Sequence, residues 1–222
     1  MSAELSGVTA LITGGTSGIG RATAVALARL GAHVAVTGRD KQRGDEVVHE
    51  ITEAGGRADF LAAELSDEHA AQDLADRAVA ALGRVDVLVN NAGVSPFGPT
   101  EQTSEADFDR VYRVNVQVPY FLVARLAPAM AERGHGAIVN VSTMVAEFGP
   151  RGVRVNAVSP GPTRTPGTAG MGESLDQLAA GGPAGRPGSP EEIAEAIVYL
   201  ATDRSSFVHG AILPVDGGRV AV

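Results

Sequence analysis

Thr13-Gly14-Gly15-Thr16-Ser17-Gly18-Ile19-Gly20 joins a short apolar run, Val8 to Thr13, to a segment in which Ile19, Ala22, Ala26 and Leu30 recur at helical spacing. The run reads as a strand, and the recurrence as a helix that Gly31 closes. A glycine-rich turn in that setting points the unpaired N–H groups of a helix start at any anion in front of it. Gly14 allows the tight turn, Gly18 lets backbone approach a diphosphate, and Gly20 permits close packing of helix on strand. Thr16, Ser17 and Ile19 complete the candidate phosphate cradle. The spacing is G-x-x-x-G-x-G rather than the commoner G-x-G-x-x-G, and a glycine-rich turn without a ligand is the alternative.

Outward from this turn the chain alternates strand and helix signals. Strands are expected at Val34–Thr37, Ala58–Ala63, Val85–Val89, Ala137–Val141, Val153–Val158 and Ala211–Val215. Helices are expected at Lys41–Ala54, at Asp67–Leu82 with Ser66 as its cap, at Ser104–Arg133 with a bend near Pro119, and at Pro190–Ala201 behind Ser189. Such alternation gives an α/β fold: one doubly wound parallel sheet of about seven strands with helices on both faces. Residues 1–222 read as a single domain.

Composition removes several classes of function. The chain has 222 residues and is 44% hydrophobic, enough for a sizeable core. It has no Cys, which excludes disulfides, thiolate metal sites and Cys nucleophiles. The five histidines are scattered without ligand spacing, so no metal is expected. A net charge of −8 argues against nucleic acid and anionic membrane as partners. No apolar window reaches transmembrane length and the N-terminus lacks a signal pattern, so a cytoplasmic location is expected. Lys41 is the only lysine; the other 17 basic residues are arginines.

The turn resembles the cofactor turn of the short-chain dehydrogenase/reductase family. Asn90-Asn91-Ala92-Gly93, Asn115, Ser142, Pro160-Gly161 and Asp216-Gly217-Gly218 are similar to further family landmarks, in the family's order. The resemblance implies a Rossmann-type sheet, a small-molecule alcohol or ketone as substrate, and a homodimer or homotetramer. It also implies cofactor contacts from Asn91, Ala92, Gly93, Pro160, Gly161 and Thr163, with Thr165 a further candidate. Glu64 and Leu65 stand where the family contacts adenine. Ser142 matches the residue that polarises the carbonyl, and Asn115 the one that extends the proton relay through a water.

The second strand ends Thr37-Gly38-Arg39, where an acidic residue would favour NAD. A guanidinium there favours a 2′-phosphate. NADP(H) is therefore preferred and NAD(H) remains open, because Asp40 can turn inward. Arg21 aids the same phosphate or sits on the surface.

One family element has no counterpart. A Tyr-x-x-x-Lys pair is expected about a dozen residues after Ser142, yet Thr143 to Gly152 contains neither residue. The tyrosines, Tyr112, Tyr120 and Tyr199, have no Lys four positions later. Sheet geometry reports the same gap, because a parallel crossover with its helix needs more than these ten residues. A segment of about 25 residues is expected to be missing near 143–152. Omission from the sequence, deletion, or natural loss with its chemistry all fit. If the loss is genuine, the chain binds nucleotide without turnover. Residues 161–188, with eight Gly and four Pro, read as a flexible substrate lid.

Overall fold

The computed structural model describes residues 4–94, 102–141 and 152–221. Its frame is a seven-stranded sheet, parallel throughout: β1 (Thr9–Ile12), β2 (His33–Gly38), β3 (Arg57–Ala62), β4 (Val87–Asn90), β5 (Gly136–Asn140), β6 (Val153–Pro160) and β7 (Ile212–Val215). The spatial order is β3-β2-β1-β4-β5-β6-β7. Winding direction reverses between β1 and β4, so the crevice at the carboxyl ends of these two strands is where such a sheet takes a ligand.

Each strand alternates its side chains between two cores. On one face Ile12, Val34, Val36, Val89 and Val139 pack against α1 (Gly18–Arg29), α2 (Lys41–Glu53) and α7 (Pro190–Ala201). On the other, Leu11, Ala35, Leu88 and Ile138 pack against α3 (Glu68–Leu82) and α5 (Val118–Arg133). β1, β4 and β5 are buried on both faces, which is why they read as continuous apolar runs. Arg154 of β6 is a buried cation within the sheet. Its buried guanidinium donates to the carbonyls of Leu200 (2.7 Å) and Thr202 (3.1 Å) and to Ser205 Oγ (2.6 Å). A cation thereby satisfies the orphan carbonyls ending α7, although burial pulls its pKa below the usual arginine value.

Several expected boundaries move. Asp67, not Ser66, caps α3, accepting from the Ala70 N–H at 2.9 Å. A carboxylate one residue closer to the helix reaches that N–H, while Ser66 instead hydrogen-bonds Asp67. The long helix is interrupted: α4 (Glu105–Tyr112) passes through a π-helical turn, Arg113–Gln117, into α5. The supposedly irregular lid contains a 3₁₀ turn, Pro166–Met171, and α6 (Glu173–Ala180), whose Leu175 and Ala179 are buried four residues apart. Ser189 does cap α7, in a reciprocal box with Glu192.

β5 and β6 pair from Gly136↔Val153 to Asn140↔Ala157. The chain leaves β5 at Asn140 and re-enters β6 at Val153, so the crossover is as short as the sequence implies. Most of it, 142–151, lies outside the described residues. Val153 and Val155 are buried against the α5 side, but Ile212, level with Ala157 on that face, is 51% exposed.

Candidate active site

The β1–α1 turn is held from below. Thr13 Oγ1 accepts the N–H groups of Asn91 and Ala92, both at 3.0 Å, and donates to the Val89 carbonyl. Asn91 Nδ2 donates in return to the carbonyls of Thr13 (2.9 Å) and Gly14 (3.2 Å). The loop after β4 and the glycine turn are thus one unit. Gly14 has a positive φ of 64°, and a Cβ there would stand 2.9 Å from the Asn91 amide nitrogen. A Cβ on Gly20 would collide with that amide and the Gly14 carbonyl. Ser17 stands at the N-cap with its side chain uncommitted, and no carboxylate occupies the first turn of α1. A helix start so arranged suits an anion.

In front of the turn opens a cleft of about 900 Å³. Its floor is Gly14, Thr16, Ser17, Gly18 and Ile19. Gly38 and Arg39 from the end of β2, Arg43 from α2, and Glu64 and Leu65 beyond β3 form one end. Asn91, Ala92 and Gly93 line it from β4, and Thr165 from the lid. Gly38 is close-packed, since a Cβ there would sit 2.7 Å from Thr16 Oγ1. A dinucleotide fits these features: a cradle that any Cβ would fill, free N–H groups for a diphosphate, and polar ends.

Asp40 is committed elsewhere. Its carboxylate caps α2 by accepting the Arg43 N–H (3.1 Å) and pairs with Arg43 Nε (2.9 Å). These bonds, led by the backbone one, hold its pKa below the ordinary carboxylate value. Arg21 pairs with Glu50 at 2.7 Å and does not line the cleft, so it belongs to the surface. Thr163 is buried, donates to the Gly161 carbonyl at 2.9 Å and, with Pro160 and Gly161, lies off the cleft wall. Thr165 takes that place, facing Gly18. Arg43 went unnoticed in the sequence; the Asp-x-x-Arg spacing of a capping residue and its helix-face partner was the available signal.

A second cavity, about 210 Å³, shares Asn91, Ala92 and Gly93 with the cleft and is further lined by Asn90, Asn115, Pro119, Val123 and Asn140. Asn115 donates to the Val94 carbonyl (2.8 Å) and accepts its N–H (2.9 Å). Both ends of its amide are spent on positioning the loop after β4. Asn90 Nδ2 donates to Asn140 Oδ1 at 2.8 Å, leaving Asn90 Oδ1 and Asn140 Nδ2 buried without partners. Ser142 lies outside the described residues. Lys41 pairs with Asp45 on the exposed face of α2. Tyr112 and Tyr120 are more than half exposed, and Tyr199 sits on α7.

Comparison with known proteins places this arrangement. The family model described as short chain dehydrogenase matches residues 8–149, and that described as enoyl-(acyl carrier protein) reductase matches 143–219. The chain is 39% identical to cis-4-hydroxycyclohexanecarboxylate dehydrogenase of Sinomonas cyclohexanicum, covering 96% of each chain. That alignment runs over 241 positions against a chain of 222 residues, so the relative has stretches without counterpart here. Among solved structures, a blue fluorescent protein from a metagenomic library in complex with NADPH is similar at TM-score 0.90 and 31% identity, over 97% of this chain and 99% of that one. A 7α-hydroxysteroid dehydrogenase complexed with NADH and 7-oxo glycochenodeoxycholic acid is similar at TM-score 0.90 and 32% identity, over 97% and 95%. With its cleft at the switch point, its latched glycine turn and these likenesses along its length, the chain belongs to the short-chain dehydrogenase/reductase family of oxidoreductases.

Proposed function

We propose that the chain, as one domain, is an NADP(H)-dependent oxidoreductase that interconverts a secondary alcohol and a ketone. The observation that carries the cofactor choice is the end of β2: Arg39 faces the cleft, Gly38 leaves no carboxylate there, and Asp40 is tied to Arg43. When bound, the cofactor supplies or accepts a hydride at its nicotinamide. Thr16, Ser17, Gly18 and Ile19 hold the diphosphate, Glu64 and Leu65 the adenine, and Asn91 to Gly93 the central ribose and its surroundings. Thr165 closes over the turn, and Asn115 fixes the loop between the two cavities. By the family resemblance, Ser142 polarises the carbonyl. The cyclic-alcohol dehydrogenase and the hydroxysteroid dehydrogenase among its relatives support a secondary alcohol as the substrate class.

A second reading, nucleotide binding without turnover, is favoured by one feature of the chain: no Tyr-x-x-x-Lys pair occurs in it, its single lysine, Lys41, being paired with Asp45 on the exposed face of α2 and absent from the cleft wall. General acid catalysis is worth about 10²–10⁴-fold, so its absence is measurable. Single-turnover oxidation of bound NADPH against a panel of cyclic, steroid and acyl ketones separates the two. Oxidation at a rate well above the no-ketone control supports the oxidoreductase; binding with no oxidation supports the second reading. Protein for this test is checked to have the 22.6 kDa mass of the 222-residue chain.

The family resemblance further supports a homo-oligomer. Phe108, Tyr112, Val116 and Tyr120 form an exposed apolar stripe along α4, the π turn and α5, suited to meeting the same stripe of a second copy.

A further inference from the structure

We propose that Arg110 of α4 binds the adenine of the cofactor, laying its guanidinium against the outer face of the base. This rests on reading the cleft as a dinucleotide site. Ala106, Asp109, Arg110, Arg113 and Val114 line the cleft, and their spacing of three and four makes them one face of a helix. That face carries two cations with different commitments. Arg113 is tied to Asp109 at 3.3 Å, whereas Arg110 has no carboxylate partner within ion-pair distance among the described residues. Arg39 is likewise unpaired, while Arg43 is held by Asp40. Two uncommitted guanidiniums on separate elements thus line one cleft in a chain of net charge −8.

Their neighbours divide the work between them. Arg39 follows Gly38, against Thr16, on the ribose side of the turn. Arg110 lies one helical turn from the apolar Val114, and both line the same cleft as Leu65. An apolar wall plus a planar cation is a surface for a flat aromatic ring, which a guanidinium can cover face to face. A phosphate would need no apolar neighbour. Arg110 therefore serves the base, which NAD, NADP and ADP share, and Arg39 serves the 2′-phosphate, which NADP alone carries.

Titration calorimetry of the full chain with NADP⁺, NAD⁺ and ADP, for wild type, Arg110→Ala and Arg39→Ala, tests this. An exposed cation over an aromatic ring is worth about 2–5-fold in affinity. Arg110→Ala is expected to weaken all three ligands by that factor alike, and Arg39→Ala to weaken NADP⁺ selectively. No change with Arg110→Ala for any ligand, beside a selective loss with Arg39→Ala, overturns the role of Arg110 and leaves the cofactor reading standing. Loss confined to NADP⁺ in Arg110→Ala overturns the base assignment in favour of the phosphate. Wild type that binds none of the three overturns both readings.

Discussion

A methyl group on Gly20 would strike the Asn91 amide and the Gly14 carbonyl, so Gly20 is small because the latch beneath the turn needs its space. Gly20→Ala is expected to displace Asn91, to cost about 1–3 kcal/mol as an overpacked contact, and to weaken dinucleotide binding with it. Thermal unfolding and a binding titration check both; a variant with wild-type melting and affinity would show that the latch is dispensable. The sequence named Gly14, Gly18 and Gly20 because their spacing is local. The packing at Gly15 and Gly38 escaped it, since the groups that exclude a side chain there, Val36 and Thr16, come from other segments at the sheet end. Thr13 was legible only as a strand end, although its hydroxyl joins two loops 78 residues apart. Arg39 and Asp40 were both legible as residues near the ribose. Their division was not, because it depends on Asp40 turning to cap α2.

At the scale of elements, helices announced themselves where capping and periodicity agreed. Ser189, Pro190 and Glu192 spell a helix start, and the structure realises it with an added partner, Arg186, whose guanidinium bonds both Glu192 oxygens at 2.9 and 2.7 Å. Arg186 first, and the Ser189 N–H second, hold the Glu192 carboxyl down at about 2 instead of its ordinary 4.5. Because the folded value is the lower one, this link between lid and α7 is complete above pH 4.5 and fades as pH falls toward 2. Carboxyl NMR should find Glu192 titrating near 2 and returning toward 4.5 in Arg186→Ala; an unmoved midpoint would contradict Arg186 as the main cause. The lid helix α6 was hidden because glycines and prolines on either side outweigh the Leu175–Ala179 repeat. The π turn was hidden too. It is a local widening around Asn115, whose side chain grips Val94 across 21 residues, and no periodicity encodes that grip.

The whole molecule was the most legible scale, because an alternation of strand and helix leaves few parallel topologies. One short connection was legible for the same reason: β5 and β6 are adjacent and parallel, and only residues 141–152 join them. The half-exposed Ile212 and the stripe from Phe108 to Tyr120 are exposed apolar surfaces of the kind that suits contact with a second copy. Light scattering at micromolar concentration is expected to give a dimer or tetramer, and Tyr112→Glu with Tyr120→Glu to reduce it to a monomer; a monomeric wild type would contradict this. What the sequence left open is how the cleft treats the two nicotinamide cofactors, and that is the centre of the account. The direct measurement is calorimetric titration of the 222-residue chain with NADP⁺ and NAD⁺, beside Arg39→Ala. A charge-assisted bond to the 2′-phosphate is worth about 1.5–3 kcal/mol. NADP⁺ is therefore expected to bind about tenfold or more tightly than NAD⁺, with Arg39→Ala erasing the difference, whereas equal affinities in the wild-type chain, or tighter binding of NAD⁺, would contradict the account.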